Sequence, residues 1–236
     1  MIQALKRRNT QQFVTARTGL TLLYGLIGVF LLYAGEARAD RVADQTRKTV
    51  LVALGDSLTA GYGLAPEQAF PSQLEAALKK RGHDVRVVNA GVSGDTTAAG
   101  LARLDWVIPE EADAVIVELG ANDALRGLDP SQARANLDEI VTRLKKSGRK
   151  VLIAGMLAPR NLGREYAERF DPIFPALAKK HDALLYPFFL DGVAGKRTLT
   201  LPDGLHPNAR GIAAIVARIL PSVEKLLAQV VARARS

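Results

Sequence analysis

Residues that could together break an acyl bond stand far apart in this chain. Ser57 follows Gly55-Asp56, and Asp203 and His206 stand three apart in Leu201-Pro202-Asp203-Gly204-Leu205-His206-Pro207-Asn208. On a turn, that spacing can bring the Asp carboxylate to imidazole Nδ1 and leave Nε2 facing a hydroxyl. An acid that orients a base that activates a serine is the general logic of nucleophilic catalysis. The reaction also needs donors for a developing oxyanion. The candidates are the N–H of Ser57, the N–H of Gly94 in Ser93-Gly94-Asp95, and the side-chain amide of Asn122 in Gly120-Ala121-Asn122-Asp123. Singly, each has a plain structural reading. Gly-Asp-Ser is a common turn, and Asp-x-x-His an ordinary loop acid beside a helix cap. Gly94 can open a helix capped by Asp95 or Thr96, and Asn122 can close an Asx-turn. His83 and His181 lie in the charged runs Arg81-Gly82-His83-Asp84 and Lys179-Lys180-His181-Asp182 and read as solvated. That leaves His206 as the one histidine placed to act as a base.

The surrounding pattern supplies elements to position these groups. The run Thr49–Gly55 is rich in Val and Leu and reads as a buried strand that stops at Gly-Asp-Ser. Further strands are expected over 85–90, 114–119, 151–157 and 183–186. Helical spacing of apolar residues covers 70–80, 96–107 (with Leu101 and Leu104 inward), and 130–146, where Pro130 opens the helix and Gly148 follows it. A helical segment over 163–180 is interrupted near Pro172 and Pro175. A terminal helix over 208–232 is kinked or divided by Pro221. Strands alternating with helices of this length argue for one doubly wound, mostly parallel α/β sheet with helices on both faces. Ser57, the 89–97 stretch and the 118–123 stretch then follow three strands at one edge, where such sheets hold ligands.

Four runs, GDSLTAGYGL, VVNAGVSGDTTAAGLARL, VELGANDALRG and DGLHPNARG, stand in this order between Thr49 and about Gly211. Together they closely resemble the four blocks of the SGNH (GDSL) hydrolase family, and more narrowly its bacterial thioesterase I, lysophospholipase L1 and arylesterase branch. The resemblance implies a flavodoxin-like three-layer α/β/α fold with a five-stranded sheet in the order 2-1-3-4-5. It implies Ser57 as nucleophile, His206 as base and Asp203 as its orienting acid, with Ser57 N–H, Gly94 N–H and the Asn122 side chain holding the oxyanion. It implies no cofactor or metal, and carboxylic esters or thioesters, lysophospholipids among them, as substrates. The stretch Ala158–Tyr166 is similar to a substrate-flanking loop of that branch. Two other readings remain: a carbohydrate O-deacetylase of the same family, and a non-catalytic binding domain on this scaffold. The intact Ser57, Asp203 and His206 argue against the second.

The chain has 236 residues and 48% hydrophobic content, enough for one packed α/β domain and a targeting segment. With no cysteine, disulfides and thiolate metal sites are excluded, and three histidines argue against an imidazole-rich metal site. Lys6, Arg7, Arg8 and Arg17 form a basic head. The uncharged run GLTLLYGLIGVFLLYA follows, and then Ala37-Arg38-Ala39. This reads as a signal peptide over residues 1–39, cleaved near Ala39/Asp40, ahead of a hydrolase domain over 40–236. Export to the periplasm or medium is the expectation; an uncleaved inner-membrane anchor is the alternative. Residues 1–39 hold five Lys/Arg and one acid, so their removal lowers the formal charge from +8 to +4. No basic stripe interleaved with aromatics remains to bind nucleic acid. A monomer with transient membrane contact at most is expected.

Overall fold

The computed structural model describes residues 48–234. The expected leader over 1–39 and its cleavage point lie outside the described residues. In chain order the elements are β1 (Thr49–Gly55), α1 (Ser57–Ala60), α2 (Phe70–Lys80), β2 (Val85–Gly91), α3 (Thr97–Ala102), α4 (Leu104–Val107), β3 (Ala114–Glu118), α5 (Ala121–Leu125), α6 (Pro130–Lys146), β4 (Lys150–Ala154), α7 (Arg164–Phe170), α8 (Ile173–His181), β5 (Leu184–Tyr186) and α9 (Ala209–Ala234).

The strands form one parallel sheet in the order β2-β1-β3-β4-β5. This is the flavodoxin-like order that the family resemblance implies. Parallel strands need crossovers, and the right-handed crossover rule sends β1-to-β2 to one face and the outward run β3-β4-β5 to the other. Accordingly α2 and α9 pack together on one face, while α3, α6, α7 and α8 pack together on the opposite one. Both faces are thus covered, which is why β1 (TVLVALG), β3 (AVIVE) and β4 (KVLIA) are almost wholly buried and nearly continuous in apolar residues. The edge strand β2 is only partly buried. The core includes Leu51, Leu54, Ile116, Phe70, Phe174 and Ile219.

Three local expectations are corrected, and one interruption is found where it was expected. The helix expected over 96–107 breaks at Arg103, whose guanidinium turns inward to Asp95 and the Gly55 carbonyl; Leu104 is buried but Leu101 only partly so. The fourth strand starts at Lys150 and stops at Ala154, after which Gly155 donates to the Tyr186 carbonyl and accepts from the Phe189 amide. The interruption expected near Pro172 is present: the 163–180 segment is two helices, α7 and α8, with Pro172 directly before Ile173. The terminal helix α9, by contrast, runs unbroken through Pro221. Pro221 lies on the exposed side, as does Ala217, whose carbonyl loses its helical partner and can be hydrated there. Ile215, Ile219 and Val223 on the buried side keep the helix seated across that point.

Candidate active site

β1 delivers its last residue, Gly55, level with Gly91 of β2 and Glu118 of β3. The chain must then turn over a crowded floor. A Cβ on Gly55 would come within 2.2 Å of Thr59 Oγ1 and 2.6 Å of Glu118 Oε2, so no side chain fits there. Asp56 caps the short helix α1, its Oδ1 accepting from the Leu58 amide at 2.9 Å. Ser57 is the first residue of that helix and is largely buried.

The opposite end of the chain supplies the partners. An antiparallel bridge joins Thr200 to Pro207, and Leu201 N–H donates to the His206 carbonyl, so residues 201–206 close a tight turn. Asp203 Oδ1 accepts from the amides of Leu205 and His206 at 2.9 and 3.0 Å, an Asx-turn that fixes the carboxylate. Its Oδ2 lies 2.7 Å from His206 Nδ1, and His206 Nε2 lies 2.9 Å from Ser57 Oγ. The Tyr62 ring packs on the imidazole with centroids 4.4 Å apart. Asn208, directly after this turn, caps α9 by accepting from Arg210 and Gly211 N–H. Partial burial pushes the Asp203 carboxyl up, but the bond with His206 and the two backbone amides outweigh it and hold it below the usual carboxylate range. Asp203 is therefore ionised and able to orient the ring.

The two remaining predicted residues lie on adjoining turns. Gly94 has φ +88°, a conformation that suits glycine, and its carbonyl accepts from Arg126 Nη2 at 2.8 Å. Asn122 Nδ2 donates to Asp56 Oδ2 at 3.1 Å and to the Asp95 carbonyl at 2.9 Å. The structure thus joins Ser57, His206 and Asp203 in one hydrogen-bonded run. Asn122 is tied to the residue before Ser57 and the residue after Gly94. Both amide hydrogens of Asn122 are engaged, an arrangement that sequence reading did not anticipate.

Sequence reading also missed the groups beneath the turn. Asp56 and Glu118 are both fully buried. Burial drives Asp56 up to about 6, against the opposing pull of the Leu58 amide, nearby His206 and the Asn122 amide. Burial and the neighbouring Asp56 charge drive Glu118 well above the usual range. An acid ending an otherwise apolar strand was the available signal for Glu118. Arg103, also missed, bridges Asp95 Oδ2 at 2.5 Å and the Gly55 carbonyl at 2.9 Å, lacing the 89–97 turn to β1. The expectation for His181 is corrected: its side chain is mostly buried and pairs with Asp138 at 2.5 Å. His83 is part-exposed and faces Glu224. Among the described residues, no cluster of three or more His, Cys, Asp or Glu side chains could hold a metal ion.

Comparison with known proteins places this geometry among relatives. Residues 53–214 match the family described as GDSL-like Lipase/Acylhydrolase. Esterase TesA of Pseudomonas aeruginosa is 38% identical over 198 residues, covering 84% of this chain and 98% of that protein. Thioesterase 1/protease 1/lysophospholipase L1 of Escherichia coli K12 is 41% identical over 159 residues, covering 67% of this chain and 75% of that protein. The crystal structure of AlinE4, an SGNH-hydrolase family esterase, is 48% identical, with a TM-score of 0.65 over 77% of this chain and 97% of that one.

Proposed function

The chain belongs to the GDSL-like lipase/acylhydrolase family, and from that membership we infer that it hydrolyses carboxylic esters or thioesters through an acyl-enzyme on Ser57. The observation that carries this reading is the hydrogen-bonded run Ser57 Oγ, His206 Nε2, His206 Nδ1, Asp203 Oδ2. Ser57 Oγ attacks the carbonyl carbon while His206 Nε2 takes the hydroxyl proton. The carbonyl oxygen becomes an oxyanion, which the N–H groups of Ser57 and Gly94 and the Asn122 amide receive. Collapse breaks the bond to the leaving alcohol or thiol, which takes the proton from His206. Water then gives a proton to His206 and attacks the acyl-enzyme; collapse frees the carboxylic acid and returns the proton to Ser57 Oγ. Asp203 holds the ring and balances the imidazolium throughout.

The rim supports an apolar acyl or aryl group in the substrate. Tyr62, Val92, Leu125 and Leu157 are exposed on the segments that follow β1, β2, β3 and β4, and Leu205 is exposed beside His206. Exposed apolar side chains gathered at one site mark a binding surface. Aryl esters, acyl thioesters and lysophospholipids share this chemistry. A panel of p-nitrophenyl esters of increasing chain length, with Ser57→Ala as control, tests the reading. Hydrolysis by wild type, loss in Ser57→Ala and fluorophosphonate labelling of wild type only are expected. Esterase activity persisting in Ser57→Ala would overturn the assignment.

Export with loss of residues 1–39 accords with the basic head, apolar run and Ala37-Arg38-Ala39. No helix among the described residues is long and apolar enough to cross a membrane. N-terminal sequencing of protein from the periplasm should begin at or near Asp40; full-length chain in the membrane fraction would establish an anchored protein instead.

A further inference from the structure

We propose that Glu118 is a positioning residue that clamps the Ser57 turn to the end of β3 and so sets the nucleophile against the Asn122 turn. The proposal rests on Ser57 being the nucleophile.

An acid is a costly choice at the end of a strand whose other residues are Ala, Val, Ile and Val, buried on both faces of a parallel sheet. Glu118 is fully buried. Its Oε2 accepts from the Thr59 hydroxyl at 2.7 Å and from the Asp56 amide at 3.4 Å. Those two residues flank Ser57. The carboxyl fills the floor beneath the turn, in the space that glycine at position 55 leaves free.

β3 then continues through Leu119 and Gly120 into α5, which carries Asn122. Asp56 is held from both sides, its N–H by Glu118 and its carboxylate by Asn122. One side chain on β3 thereby ties the nucleophile turn to the strand from which the Asn122 turn departs.

Burial and the neighbouring Asp56 push the Glu118 carboxyl well above the usual carboxylate range, so its neutral form is favoured over a second anion beside Asp56. Its Oε1 is buried without a hydrogen-bond partner among the described residues, so the hydrogen bonds that hold the turn pass through Oε2. Its hydrogen-bonding partners are Thr59 and Asp56, so its influence on the reaction passes through them.

The test compares Glu118→Met, which keeps the volume and removes the acceptor, with Glu118→Gln, which restores one, and with Thr59→Val, which removes the donor from the other side. Glu118→Met should lower kcat about tenfold or more with KM within about threefold, since misplacing a reacting group by a fraction of an ångström is costly. Fluorophosphonate labelling of Ser57 should slow by a similar factor. Glu118→Gln should recover much of the loss, and Thr59→Val should lower kcat by a few-fold. Because the two residues share one contact, adding Thr59→Val to Glu118→Met should cost little more. Folded Glu118→Met with kcat within about twofold of wild type, against a loss of about 10²-fold for a 1 Å misplacement, would overturn the proposal. So would a Glu118→Gln variant no better than Glu118→Met. If Glu118→Met does not fold, Thr59→Val decides: lowered kcat with normal KM supports the clamp, and unchanged kcat refutes it. Ser57→Ala separates the two levels of argument. Activity surviving there refutes the nucleophile, whereas a dead Ser57→Ala beside an unaffected Glu118→Met refutes the clamp alone.

Discussion

Replacing Asn122 with Ala should damage stability and catalysis by separable amounts. The amide makes two hydrogen bonds, one to the Asp56 carboxylate and one to the Asp95 carbonyl. A bond to a charged group contributes about 1.5–3 kcal/mol and a neutral one about 0.5–1.5 kcal/mol, so the variant should lose about 2–4 kcal/mol of stability. At about 2–4 °C per kcal/mol for a chain of this size, the melting temperature should fall by about 5–15 °C. Catalysis should suffer by a different route. Removing an oxyanion donor costs about 10²–10³ in kcat, or about 2.7–4 kcal/mol. Because both hydrogens are engaged before substrate arrives, donation to the oxyanion must weaken an existing bond. The net gain is smaller, and the expected loss lies near the lower end, about 10²-fold. The assay is kcat and KM for a p-nitrophenyl ester, on the sample used for the melting curve, with active sites titrated by fluorophosphonate. KM should stay within about threefold, because the donor matters mainly in the transition state. Folded Asn122→Ala with kcat within about threefold of wild type would refute the oxyanion role, whose loss costs far more.

Other variants probe the neighbouring groups. Asp56 has a folded pKa of about 6 against a reference of 3.8, so between those values the native state binds more protons than the unfolded one. Stability should therefore decline, by up to about 3 kcal/mol, as pH rises from about 4 to about 6. Asp56→Asn should flatten that decline in urea titrations at several pH values; an unchanged slope would show that another group is responsible. Gly94→Ala meets only Arg126 Nη2, at 3.7 Å, so the obstacle is conformational. At φ +88° it should cost about 1–2 kcal/mol of stability and lower kcat, both read on one preparation; a variant as stable as wild type would refute the strain argument. Arg103→Met strips the guanidinium from buried Asp95 and from the Gly55 carbonyl. A loss of about 3–5 kcal/mol is expected in chemical denaturation, and a loss under 1 kcal/mol would show that Asp95 finds another partner.

The outline of the fold was legible because local pattern and global role coincide there. β1, α2 and α6 begin and end where apolar spacing, Pro130 and the following glycines indicate. Ser57, Asp203 and His206 stood out only because four runs occur in order along the chain; singly each sits in a common kind of turn, and the hydrogen bonds that join them are a matter of the fold. Arg103 was not legible, since nothing local announces that a side chain will turn inward and end a helix; its partners come from β1 and the 89–97 turn. His181 was misread for the same reason. Its charged neighbours look like surface, but α6 brings Asp138 over it. Pro221 does not divide the helix, because the buried side of α9 holds it across a point where local preference argues for a break. The floor beneath Ser57 was the least legible part. Gly55, Thr59 and Glu118 meet only through the strand register, which the sequence does not spell out.

Ser57 and His206 are 149 positions apart, and that separation bears on how the protein is made. During synthesis from the amino terminus, Ser57 emerges long before His206. The turn that carries His206 is braced by Asn208 and runs directly into α9, the 26-residue helix that packs on α2, β4 and β5. A nascent chain that carries Ser57 but not yet the turn before α9 lacks the imidazole that stands 2.9 Å from the Ser57 hydroxyl. Products truncated before residue 201 inherit the serine without that imidazole. On the proposed mechanism, esterase activity becomes a report that α9 and the turn ahead of it have docked.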